Sequence, residues 1–222
     1  MDEMERGRRA YAKAQFSEAF EAWLPLAEAG DMEAQAWVGS MYANGEAVEI
    51  DDAEAQAWYL KASEQGHAMA QANAGANCFM GRGTEKDLDG AVKWLSAAAE
   101  NGDLNGLFNL AVLYSKGEGV AEDLEKAAAL YRKAAEVGHY PSQSRLGYMY
   151  SVGQGVPKDR VQAYLWLTLA AQHGIGTALD ALESVVKNMS GDEKAEGTRL
   201  FDEWRTKTAS HEGQVALYPA PA

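Results

Sequence analysis

The sequence predicts an all-α chain: a solenoid, or α/α superhelix, of about five antiparallel helix pairs closed by a C-terminal cap. Three observations predict it. Gly30, Gly66, Gly102, Gly138 and Gly174 stand 36 residues apart without a slip. Gly45, Gly81, Gly117 and Gly153 keep the same step, as do Asp51, Asp87, Asp123 and Asp159. Between these markers, apolar and small residues recur at spacings of three and four, the period of an amphipathic helix. A fixed period of about 20 to 50 residues marks stacked repeats, each too small to bury its apolar face alone.

Residues 1–30 read as a degenerate first unit. One helix starts near Arg9 and turns before Phe16; Ala19, Phe20, Trp23 and Leu24 then mark a second. Pro25 lies inside that second pattern, where it removes a backbone donor, so a kink or an early break is expected. From Asp31 the units become regular. In the first, a helix over about 31–43 carries Ala34, Val38, Gly39 and Tyr42, a loop covers 44–50, and a partner helix from Asp51 carries Ala55, Trp58, Tyr59 and Ala62. The same design returns with Ala74, Gly75 and Cys78, then Trp94 and Leu95; with Leu110, Ala111 and Tyr114, then Leu130 and Tyr131; and with Leu146, Gly147 and Tyr150, then Trp166 and Leu167. Small residues let paired helices approach closely while Trp and Tyr fill the space between pairs.

The period-marking aspartates stand where a helix N-cap belongs. Asp51 with Glu54 and Asp159 with Gln162 have capping-box spacing, as does Ser190 with Glu193. The glycines follow helix ends, where a left-handed residue is wanted. After Gly174 the register dissolves. Leu179, Leu182, Val185, Val186 and Met189 mark one helix; Leu200, Phe201 and Trp204 mark another, which Gly197 weakens by about 1 kcal/mol relative to alanine. Residues 175–207 thus form the cap of a single domain spanning 1–207, with 31–174 as its regular repeats. Residues 208–222, including the apolar run Val215 to Pro219, form a mobile tail.

The net charge of −13 argues against nucleic acid and an anionic membrane surface. The lone cysteine, Cys78, excludes an internal disulfide. The N-terminus lacks the apolar segment of a secretory signal. No apolar run reaches the roughly 20 residues of a membrane span. The expectation is a cytoplasmic protein, or a periplasmic one if a signal peptide has been removed.

The run Ala127-x-x-Leu130-Tyr131-x-Lys133-Ala134-Ala135-x-x-Gly138, together with Asn109-Leu110-Ala111-x-x-Tyr114-x-x-Gly117-x-Gly119-Val120-x-x-Asp123 and its copy from Leu146 to Asp159, resembles the Sel1-like repeat, a bacterial relative of the tetratricopeptide repeat. The resemblance covers about residues 17–174; the stretch from Tyr11 to Gly30 is more similar to a plain tetratricopeptide unit. It departs from the family at Cys78, in place of an aromatic residue, and at Thr84, in place of valine. Members rich in cysteine carry a disulfide in each repeat, which this chain lacks, so activities of that subgroup are not carried over.

What the resemblance implies is a non-catalytic scaffold that binds a protein or peptide in a concave groove, lined by the helix bearing Leu-Gly-x-x-Tyr. Carried over residue by residue, the groove positions are Trp37, Asn73, Phe79, Phe108, Asn109, Ser144, Arg145 and Tyr148. Asn side chains would bond a peptide backbone, Arg145 a carboxylate, and the aromatic rings apolar side chains. The competing reading for Asn73 and Asn109 is that they tie adjacent helices together.

Other candidates have plainer readings. Gly81-Arg82-Gly83 and its copies lack the strand and Lys-Ser/Thr of a phosphate loop and read as turns. His67 and His139 lie two units apart and do not converge on a metal. Cys78 reads as a small buried hydrophobe, and Trp58, Trp94 and Trp166 as packing. No nucleophile elbow, His-Glu-x-x-His or acid–base pair is present, so no catalytic, metal or cofactor residue is expected. Alternatives are an enzyme of the cell-wall or β-lactam hydrolase type, or a self-assembling protein whose 215–219 tail lies in a neighbour's groove. A monomer is the favoured state.

Overall fold

A computed structural model describes residues 2–209 and is all-helical over that span. Residues 210–222 of the predicted tail, including Val215 to Pro219, lie outside the described residues; Thr208 and Ala209 belong to the last helix instead. Contacts divide the chain into two compact units. The first runs up to Leu113 and includes Glu118–Val120; the second comprises Tyr114–Gly117 and the residues from Ala121 on.

The first unit contains α1 (Glu3–Tyr11), α2 (Phe16–Glu28), α3 (Met32–Asn44), α4 (Asp52–Glu64), α5 (Ala68–Met80), α6 (Leu88–Glu100) and most of α7 (Leu104–Lys116). The second holds the end of α7, then α8 (Leu124–Glu136), α9 (Tyr140–Val152), α10 (Arg160–Gln172), α11 (Gly176–Lys187) and α12 (Gly191–Ala209). Within each unit, helices pack on their sequence neighbours, α1 on α2, α3 on α4 and α5 on α6 in one, α9 on α10 in the other.

Two turns alternate. The turn after each even-numbered helix is marked by Gly30, Gly66, Gly102, Gly138 and Gly174, all with φ between 80° and 98°. An L side chain is disfavoured there by backbone sterics alone, since a Cβ at any of the five would meet nothing within 4 Å. The turn after each odd-numbered repeat helix opens on a left-handed glycine, such as Gly45, Gly81 and Gly153. It closes on the aspartate. The N–H groups of Asp51, Asp87, Asp123 and Asp159 donate back to the carbonyls of Tyr42, Cys78, Tyr114 and Tyr150 at 2.8–3.1 Å.

That back-bond corrects one expectation. Asp51 and Asp159 cap α4 and α10 through their carboxylates, but their own N–H groups are already used, so no reciprocal capping box forms. Only Ser190 and Glu193 make both bonds, at 2.7 and 3.2 Å. Between the two ends of the loop lies a second glycine whose Cβ would strike the preceding repeat. At Gly83 it would fall 1.9 Å from the Asp52 carbonyl oxygen, and at Gly155 2.1 Å from that of Leu124. Ala47 occupies the matching place in the first repeat with φ 66°.

The ends differ from expectation in three ways. α1 begins at Glu3, capped by Asp2, rather than near Arg9. α2 continues through Pro25 to Glu28 without an early break. Gly197 is not merely a weak helix former: α12 packs on α10, and a Cβ there would lie 2.6 Å from the Tyr164 ring. The missing side chain is what admits the ring.

Beneath the turns runs a polar ladder that the hydrophobic pattern does not announce. Gln35 Nε2 donates to the Ala27 carbonyl, and Gln65 Nε2 donates to both Gln35 Oε1 and the Gly30 carbonyl. One repeat later Gln71 bonds the Ser63 carbonyl, and Asn101 bonds Gln71 Oε1 and the Gly66 carbonyl. Gln143 bonds the Ala135 carbonyl, but its Oε1, in a residue 0% exposed, has no partner among the described residues. Buried amides of this kind are costly unless paired, so the ladder helps to fix the hairpins that carry it; the third repeat, with Leu107 at this place, lacks the glutamine.

Candidate partner-binding face

The odd-numbered helices bury one stripe against their partners and leave the adjoining stripe partly open, because a single 3.6-residue period exposes neighbouring columns unequally. On α5, Ala74, Gly75 and Cys78 are buried while Asn73, Ala76 and Phe79 are half-buried. On α7, Leu110 and Ala111 are buried while Phe108, Asn109 and Val112 are half-buried. On α9, Leu146 and Gly147 are buried, Ser144 is half-buried, and Arg145 and Tyr148 are exposed.

The first unit holds five of the predicted site residues. Trp37 is half-buried with its ring stacked on Trp23, centroids 5.0 Å apart, and tilted against Tyr11 at 5.1 Å. Its ring therefore packs with the N-terminal core, which includes Trp23 and Ala34. Phe79 lies under the Lys86 ammonium, 5.2 Å from the ring centre. Asn73 and Asn109 occupy the same repeat position, and neither side chain has a hydrogen-bond partner among the described residues. They do not tie helices together. The amide that does so on α5 is Asn77, bonded to Gln56 Oε1 at 3.0 Å. That buried pair was not among the expected polar residues; nothing in its spacing distinguishes it from the half-buried Asn73.

The second unit holds the other three. Tyr148 is 48% exposed, and its backbone carbonyl accepts the Ser151 hydroxyl at 2.7 Å. Arg145 makes no ion pair among the described residues. Its charge reaches the Tyr131 phenol, whose pKa burial pushes up while the Ser115 hydrogen bond and Arg145 draw it back.

The remaining candidates resolve as packing. Cys78 is a free, buried thiol that accepts a bond from Gln56, and burial pushes its pKa up. Trp58, Trp94 and Trp166 are at most 9% exposed. His67 caps α5 by accepting the Ala70 N–H at Nδ1, and His139 stands at the matching place before α9, 2.7 Å from the Ser142 hydroxyl. Burial lowers both imidazole pKa values, that of His139 to about 4. Among the described residues no group of three metal-ligating side chains converges, and no helix is long and apolar enough to cross a membrane.

A family model described as the Sel1 repeat matches residues 33–67, 68–103, 105–139 and 141–175. Among solved structures, the chain is similar to a protective antigen of uropathogenic Escherichia coli displaying an SLR fold, at 31% identity and a TM-score of 0.80, covering 92% of this chain and 45% of that one. It is also similar to a Sel1 repeat protein from Oxalobacter formigenes, at 34% identity and a TM-score of 0.68, covering 77% and 49%. The chain therefore spans under half the length of either. A Sel1 repeat protein from Klebsiella pneumoniae shares the fold at 21% identity and a TM-score of 0.55, covering 83% and 98%. No curated protein matches the chain.

Proposed function

The chain belongs to the Sel1-repeat family, and from that premise we propose that it is a non-catalytic interaction module gripping an extended peptide or partner surface with the open stripe of its odd-numbered helices. Sel1-repeat proteins generally mediate protein–protein interaction. The observation that carries the reading here is the pair of half-buried amides, Asn73 and Asn109, left without a side-chain partner. An amide offers a donor and an acceptor together, the complement of a peptide backbone. Phe79 and Phe108 flank them with ring surface. In the second unit, Arg145 supplies a cation and Tyr148 a half-exposed ring. Trp37 contributes less, since one face of its ring is stacked on Trp23 and Tyr11 packs beside it.

The test is capture from native extract on immobilised full chain, with crosslinking, against Asn73→Ala/Asn109→Ala and Arg145→Glu/Tyr148→Ala. Each amide hydrogen bond is worth about 1 kcal/mol, so the first double variant should weaken capture of a specific protein about tenfold or more. Undiminished capture by both variants, with helicity unchanged by circular dichroism, sinks the reading.

A further inference from the structure

We propose that the second unit carries a carboxylate-binding site between α8 and α10, separate from the open stripe of α9. A cavity of about 500 Å³ lies there, lined chiefly by Arg132 and Glu136 of α8, Tyr150 of α9, Lys158, and Gln162 and Trp166 of α10. Arg132 Nη2 donates to the Tyr150 hydroxyl at 2.5 Å, which holds the guanidinium at the cavity and leaves its other N–H groups uncommitted. Lys158 makes no ion pair among the described residues. Trp166 is 6% exposed, and its indole N–H has no acceptor among the described residues.

The acceptor side of the lining is poorer. Asp159 also borders the cavity, but one of its oxygens already takes the Val161 and Gln162 N–H groups as the cap of α10. Its other oxygen and the Glu136 carboxylate remain, so two cations face two carboxylates. The N–H groups still outnumber the oxygens: the rest of the Arg132 guanidinium, the Lys158 ammonium and the Gln162 amide nitrogen stand against Glu136, one Asp159 oxygen and the Gln162 amide oxygen. Such a lining is completed by a planar, doubly accepting anion, and an Arg fork beside a Lys suits a carboxylate.

The repeat itself marks the place as unusual. Stepping by 36 residues, the pair Arg132 and Lys158 corresponds to Leu24 and Ile50, to Leu60 and Lys86, and to Ser96 and Glu122. Only this pair is doubly cationic, on a chain of net charge −13. The general field repels a carboxylate, so its capture depends on these two side chains.

The carboxylate is either an acidic side chain of a peptide or a chain terminus, and the experiment separates them. Full-length ¹⁵N-labelled protein is titrated with N-acetyl-glutamate N-methylamide, with N-acetyl-alanine bearing a free carboxylate, and with inorganic phosphate, while the Trp indole resonances are followed. The Trp166 resonance, identified with Trp166→Phe, is expected to shift saturably with at least one carboxylate probe, less so at high salt, while those of Trp58 and Trp94 stay in place. Arg132→Leu/Lys158→Ile restores the residue types of the first repeat at two solvent-exposed positions; it should keep full helicity and weaken the binding at least about tenfold. Whichever probe binds tighter names the source. Absence of a saturable shift with both carboxylates, an equal shift in the double variant, or tighter binding of phosphate overturns the proposal. Asn73→Ala/Asn109→Ala should leave the titration unchanged, so either reading can fail without the other.

Discussion

Replacing Gly155 by alanine, beside the same change at Gly138, separates backbone strain from steric contact. Both glycines have positive φ, 66° and 93°. At Gly138 the new methyl meets nothing within 4 Å, so the cost is conformational, about 1–2 kcal/mol. At Gly155 the methyl would sit 2.1 Å from the Leu124 carbonyl oxygen and 3.0 Å from the Leu124 Cβ. An ordinary contact needs roughly 3.4 Å, so the loop or the first turn of α8 must retreat by more than 1 Å. Adding an overpacking cost of about 1–3 kcal/mol brings the total for Gly155→Ala to about 2–5 kcal/mol. Urea unfolding followed by circular dichroism measures both, with the slope inspected for lost cooperativity, since repeat proteins can unfold in parts. If Gly155→Ala costs no more than Gly138→Ala, the claim that this loop is wedged against the preceding repeat is wrong.

Two further outcomes are expected. Gly197→Ala should destabilise by about 1–3 kcal/mol, because the methyl meets the Tyr164 ring; helix propensity alone predicts a gain of about 1 kcal/mol, so the sign measured by thermal unfolding decides. His139, held neutral by burial with its pKa at about 4, should contribute stability that is complete above the unfolded value near 6.5 and is lost as pH falls toward 4. At 1.36 kcal/mol per unit the ceiling is about 3 kcal/mol, and roughly 2 for a half-buried ring. Comparing wild type with His139→Asn at pH 7.5 and 4.5 isolates this contribution; a difference between the two proteins that does not change with pH contradicts it.

The helix boundaries were legible because their punctuation is chemical. A left-handed turn needs Gly66 or Gly102 whatever the surroundings, and an N-cap needs Asp51 or Asp123, so local physics wrote both into the chain at a visible period. The open stripe was legible only by analogy, and it divides: Asn73 and Asn109 stand unpaired, whereas Trp37 packs on Trp23 and Tyr11. That outcome depended on α1, whose start at Glu3 the apolar spacing did not reveal. The capping boxes at Asp51 and Asp159 failed for a non-local reason, since a carbonyl nine residues back had already taken each N–H. Gly197 was read for what it lacks in propensity; its use depends on Tyr164, 33 residues away, which no local rule connects to it. The glutamine ladder did leave a trace, the recurrence of Gln at 35, 71 and 143 with Gln65 and Asn101 thirty residues after the first two, but polar residues are not usually searched for buried periodicity.

That ladder has a further consequence. Gln71 and Asn101 belong to one hairpin, and outside it they address only main-chain oxygens of Ser63 and Gly66. Those oxygens exist whatever side chains the earlier hairpin bears. That part of the joint is therefore blind to sequence and points one way, toward the N-terminus. A copy of 67–102 spliced in after itself would find the same two handholds on its twin, but its Asn77 would meet Val92 where the original meets Gln56. Lengthening such a chain by duplicating genetic segments would then leave one side-chain pair to be re-matched at the seam, with the main-chain bonds supplied unchanged.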